Sequence, residues 1–179
     1  KKSIDTRRMV LWGTSLSGGY VLELASQLKN IKAIIAQIPF VDGTESAKHY
    51  PLQFLPQALK ISSQDYMGGK VGLSPRTLPV IHPKKLCFLP TPDSYAGYLS
   101  ILNPDYYWSG EVPARVFFHL MRFRPIQNVR KITVPTLFIA AKQDTFIPIE
   151  ISREAATNIA PFAQYHEWEM QHFDIYHGQ

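Results

Sequence analysis

The chain has 179 residues, enough for one domain with a real core, and 45% of them are apolar, as in ordinary globular proteins. A net charge of +5 spread thinly along the chain argues against nucleic acid as a partner, and a single cysteine, Cys87, rules out a disulfide framework or a cysteine-based zinc site. No His-x-x-x-His pair suggests a metal, no cofactor motif is present, and the longest apolar run, "AIIAQIPFV", is too short to span a bilayer.

In chain order, "RMVLW" (Arg8 to Trp12) reads as a buried strand. It runs into "GTSLSGG", and "SGGYVLELASQLKN" follows as a helix with Val21, Leu24, Ala25 and Leu28 on one face. A second strand, "IKAIIAQIPF" (Ile31 to Phe40), comes next. Residues 43–129 form a long insert, rich in proline and aromatics, with helices expected at "SYAGYLSIL" and "VPARVFFHLMR". "VPTLFIAA" (Val134 to Ala141) is a third strand, and "PIEISREAATNIA" a helix with Pro148 in its first turn and Ile151, Ala155 and Ile159 facing inward. "AQYHEWEM" (Ala163 to Met170) alternates and suits a sheet edge. This order predicts an α/β fold with a mostly parallel sheet, the strands being covered on both faces. The core spans 1–42 and 130–179, and the insert at 43–129 is expected to cap it.

The junction "LWGTSLSGG" is not a P-loop, because no Lys follows its glycines, and it does not match G-x-G-x-x-G. It does match a nucleophile elbow, which needs small residues two before and two after a serine on a sharp strand-to-helix turn. Gly13 and Ser17 flank Ser15 at those spacings. A rival register makes Ser17 the nucleophile, flanked by Ser15 and Gly19. A helix starting here aims its N-terminus at the reacting centre.

A serine nucleophile needs a base and an orienting carboxylate, and in elbow folds the order is Ser, Asp or Glu, then His. Asp144 closes the strand "VPTLFIAAKQD", and His172 stands in "MQHFDIYHG" after the last strand. Asp42, in "PFVDG", is an alternative acid, and His166 and His177 are alternative bases.

These residues resemble the α/β-hydrolase family. "VLWGTSLSGG", "AIIAQIPFVDG", "VPTLFIAAKQDTFIP", "HFDIY" and the insert segments "TPDSYAGYL" and "VPARV" are similar to a dienelactone-hydrolase-like, peptidase S15-like branch. The resemblance implies Ser15 as nucleophile, Asp144 as acid, His172 as base and the Leu16 backbone N–H in the oxyanion hole. Ser17 departs from the usual Gly, and Gln171 from the Gly that commonly precedes the histidine. The family's elbow follows its fifth strand, whereas here it follows the first. The chain therefore reads as the C-terminal part of a longer hydrolase, lacking four strands and the second oxyanion donor, with an open edge on its first strand and impaired catalysis by itself.

The expected reaction is cleavage of an ester or thioester in a small acyl substrate, with acyl transfer or a non-catalytic binding role as alternatives. Tyr95, Tyr98 and Trp108 are the expected substrate contacts, and Phe54, Tyr66 and Tyr107 add to the aromatic character of the insert. The chain does not begin with Met, so its start leaves localisation unread, with the cytoplasm the favoured expectation.

Overall fold

A computed structural model describes residues 5–177. Its main sheet has four parallel strands: β1 (Met9–Thr14), β2 (Ile31–Gln37), β5 (Thr136–Ala141) and β6 (Ala163–Trp168), side by side in that order. Helix α1 (Leu16–Gln27) joins β1 to β2, and α6 (Ile149–Ile159) joins β5 to β6. Successive strands step across the sheet in one direction. Crossovers of one hand then lay α1 and α6 on the same face.

The main core lies on that face. Leu22 and Ala25 from α1 and Ala155 and Ile159 from α6 meet Ile34, Ala36, Phe138 and Ala140 from the strands. Val129 and Ile132, at a short 3₁₀ turn, wedge between the two helices. The opposite face is only thinly covered, by a small cluster of Ile38, Ile139, Ala141 and Met170. Val10 and Trp12 of β1 are exposed there, at 54% and 64%. The expectation of cover on both faces therefore fails for β1, because both sheet-spanning helices sit on one side. β6 occupies an edge, as its alternation suggested, and β1 occupies the other edge among the described residues.

In α1 the buried stripe is Gly18, Val21, Leu22 and Ala25, while Leu24 and Leu28 are exposed. The elbow sets this phase: the helix begins at Leu16, directly after the turn, and Gly18 and Gly19 must face the protein. A Cβ on Gly19 would lie 2.1 Å from the Phe40 carbonyl oxygen. In α6 the inward face is as expected, but Pro148 precedes the first turn in extended conformation rather than lying in it.

Residues 43–129 cross from β2 towards β5. They contain α2 (Gly43–Lys48), α3 (Leu55–Lys70), a ribbon of β3 (Thr77–Pro79) antiparallel to β4 (Glu111–Pro113), α4 (Ser94–Ile101) and α5 (Val116–Arg122). Ala58, Leu78, Leu86 and Ala114 form a separate apolar cluster here, with Tyr50, Phe54 and Phe117 packed on it. Buried Asp65 pins the segment. Its carboxylate accepts from the Arg76 and Arg115 backbone N–H groups and from the Arg115 guanidinium, at 2.7–2.9 Å. The Arg115 hydrogen bonds outweigh the cost of burial and hold its pKa down to about 2.

Candidate active site

Three loops at the C-terminal ends of β1, β5 and β6 converge, the edge where open parallel sheets gather ligand groups. The first is the elbow. Ser15 has φ 53° and ψ −121°, a backbone state that non-glycine residues adopt only when their surroundings enforce it. Its N–H donates to the Gln37 carbonyl at 2.9 Å, and its carbonyl accepts from Gly19 at 3.1 Å and Phe40 at 2.9 Å. Gly13 admits the fold-back, since a Cβ there would meet the Ser17 carbonyl at 2.3 Å.

Ser17, the alternative nucleophile, is engaged elsewhere. Its hydroxyl donates to the Thr14 carbonyl at 2.8 Å and accepts from the Thr14 N–H at 2.9 Å, so it closes the turn from inside. The serine in place of the usual glycine adds a clasp. Leu16 is the first helical residue, and its N–H has no partner a turn earlier in the helix.

The second loop carries Asp144. One carboxylate oxygen accepts from the Phe146 and Ile147 N–H groups, both at 2.8 Å, which fixes the plane of the group. The other lies 2.7 Å from His172 Nδ1. The next residue, Thr145, donates its hydroxyl to Asp93, which ties the start of α4 to this loop.

The third loop carries His172, which is 5% exposed. Its Nε2 is 3.0 Å from Ser15 Oγ. A carboxylate only accepts, so Nδ1 bears the proton donated to Asp144, and Nε2 is left to accept from the serine hydroxyl. Phe146 and Phe173 turn ring edges or faces to the imidazole, with centroids 6.0 and 5.1 Å away. Gln171 keeps the loop tight by donating its N–H to Asp174 at 2.7 Å.

The alternatives lie elsewhere. Asp42 caps α2 through the Thr44 and Glu45 N–H groups and pairs with Arg124 at 2.8 Å. Burial works against its charge, but Arg124 and the cap bonds prevail and hold its pKa below the usual range. His166 is exposed on β6, and His177 meets Ser100 at 2.9 Å.

Ser15 opens into a cavity of about 350 Å³ with a largely apolar wall. Of the three expected substrate contacts, only Tyr98 lines it. Helix phase explains this: Ser94, Tyr98 and Ile101 stand at i, i+4 and i+7 and face the cavity, whereas Tyr95 is one residue out of step and exposed. Trp108 stacks behind Tyr98 at 5.1 Å and does not reach the wall. Sequence reasoning missed Tyr176, whose hydroxyl accepts from Thr14 Oγ1 at 3.2 Å, next to Ser15 in the chain. Burial lifts the Tyr98 and Tyr176 phenols above their ordinary pKa, so both face the cavity as neutral hydroxyls. It also missed Phe40, Phe146 and Phe173, although two of them neighbour Asp144 and His172 in sequence. Among the described residues, no group of three or more metal-ligating side chains forms, and no helix is long and apolar enough to cross a membrane.

Comparison with known proteins accords with this architecture. No protein-family model matches the chain. It is 30% identical over 178 residues to the quorum-quenching protein AidA of Acinetobacter baumannii (strain MDR-ZJ06), covering 98% of this chain and 58% of that protein. Among solved structures, the α/β hydrolase GrgF from Penicillium sp. sh18 superposes with a TM-score of 0.76 at 17% identity, over 98% of this chain and 60% of that one. The enol-lactonase from Burkholderia xenovorans LB400 gives a TM-score of 0.58 at 18% identity, over 94% and 60%. The chain thus spans about 60% of the length of these proteins.

Proposed function

The chain has the α/β-hydrolase fold, and from that premise we propose that it cleaves an ester or thioester through an acyl-enzyme. Ser15 is the nucleophile, His172 the general base and Asp144 the group that orients the imidazole. The observation that carries this reading is the hydrogen-bonded relay from Asp144 through His172 to Ser15, at 2.7 and 3.0 Å. His172 Nε2 takes the Ser15 proton as Oγ attacks the acyl carbon, and the carbonyl oxygen becomes an oxyanion held by the Leu16 N–H at the positive end of α1. His172 then returns the proton to the departing alcohol or thiol. Water repeats the sequence, freeing the acid and restoring Ser15.

A cyclic ester is one form such a substrate takes, and the naming of one relative as quorum-quenching and one structural neighbour as an enol-lactonase supports testing lactones first. The motifs that resemble the dienelactone-hydrolase-like branch point the same way. Residues 43–129 act as a lid in this reading, since α4 and α5 contribute to the cavity wall.

A serine-directed fluorophosphonate tests the assignment. It is expected to label the protein at Ser15, and Ser15→Ala is expected to abolish both labelling and ester turnover. Equal labelling of the Ser15→Ala variant would overturn it.

A further inference from the structure

A second cavity, of about 290 Å³, lies against the first. The two share Phe40, Phe88, Leu120 and Phe146 as common walls, so these side chains separate the second space from the cavity that Ser15 lines. Its far side is built from α2 and the start of α3, including Ala47, Leu55 and Leu59. Three polar groups on this wall are turned to protein partners. The Tyr50 hydroxyl donates to the Cys87 carbonyl at 2.7 Å, Lys48 Nζ is held by both Glu45 oxygens at 2.7 Å, and Thr44 Oγ1 donates to the Met121 carbonyl at 3.4 Å. Apart from Ser46, what remains for an occupant is largely apolar surface.

We propose that this second space is an acyl-tail chamber, entered past Leu120 and Phe146, that makes the protein selective for esters with an extended apolar acyl chain. The proposal rests on the hydrolase reading for the position of the acyl carbon at Ser15. A short acyl group fills only the first cavity. A longer unbranched tail passes the shared wall and exchanges water for the α2–α3 surface, with about a three- to fourfold gain for each methylene that enters. A tail ending in a hydroxyl or carboxylate loses hydration against a largely apolar wall and is disfavoured.

The test compares kcat/KM for p-nitrophenyl acetate and p-nitrophenyl decanoate in the wild type, Ala47→Phe and Leu59→Glu. Ala47→Phe fills the chamber. Leu59→Glu places a charge on its wall at a position already 40% exposed, where glutamate is compatible with folding. The decanoate-to-acetate ratio is expected to fall tenfold or more in both, and an unchanged ratio in folded Leu59→Glu overturns the chamber. Binding of decanoate against hexanoate to the Ser15→Ala variant, by displacement of a fluorescent fatty acid, separates this from the hydrolase reading. Loss of all ester turnover with tail-length-dependent binding that Leu59→Glu erases would sink the catalytic reading and keep the chamber. Equal affinity for the two acids would sink the chamber whatever the turnover.

Discussion

At the scale of single residues, the site is a set of constrained positions. Ser15 sits in a backbone state held by three main-chain hydrogen bonds, and Asp144 is fixed by two N–H donors before it meets His172. That second constraint makes a sharp prediction. Asp144→Asn keeps the size of the side chain but offers an amide where His172 Nδ1–H needs an acceptor, favouring the wrong tautomer. The expected result is a fall of about 10⁴ in kcat with little change in KM. Steady-state kinetics read this, and an unchanged thermal melt would exclude unfolding as the cause. At this scale the sequence was most legible where chemistry fixes residue type and spacing: Gly13 stands near the end of β1, and Ser15, Asp144 and His172 each follow a strand end. It was least legible for Ser17, whose clasp on Thr14 depends on a hydroxyl direction that no spacing encodes.

At the scale of elements, the parallel strands could be read from their apolar runs, but the phase of α1 could not. Periodicity alone allows Val21, Leu24, Ala25 and Leu28 to share a face, and it is the elbow, with Gly18 and Gly19 pressed inward, that rotates Leu24 out. Leu22→Ala is therefore expected to cost about 2–5 kcal/mol, because Leu22 is fully buried, whereas Leu24→Ala is expected to cost well under 1 kcal/mol. Urea denaturation of the two variants checks the pair, and equal losses would contradict the phase. α3 escaped sequence reading because its residues are mixed in polarity and end in Gly68–Gly69, so no clean stripe marks it. The same reasoning applies to the cavity wall. The aromatic richness of the 43–129 segment is visible in the sequence, but which ring faces inward is decided by helix phase, and that admits Tyr98 and excludes Tyr95.

For the whole molecule, the segment 43–129 has its own apolar cluster, and a buried polar anchor helps to hold that segment together. Asp65 is ionised in the folded state down to a pKa of about 2, against about 3.9 for a free aspartate. A lowered folded pKa stabilises the fold above the unfolded pKa, and that stabilisation drains away as pH falls through the range from about 5 to about 2. Asp65→Asn is accordingly expected to be less stable than the wild type at pH 7 by about 2 kcal/mol, with the gap closing over that acid range. Chemical denaturation at several pH values measures it, and a gap independent of pH would rule out the carboxylate charge as the source.

The hydrogen bond between Ser15 and His172 joins residues 157 positions apart. During synthesis Ser15 leaves the ribosome well before His172 is made, and β6 must dock before the imidazole can reach the serine. Until then the serine hydroxyl lacks the partner that the relay requires. In the hydrolase reading, reactivity arrives only once β6 has docked, so a half-made molecule is not a half-active one.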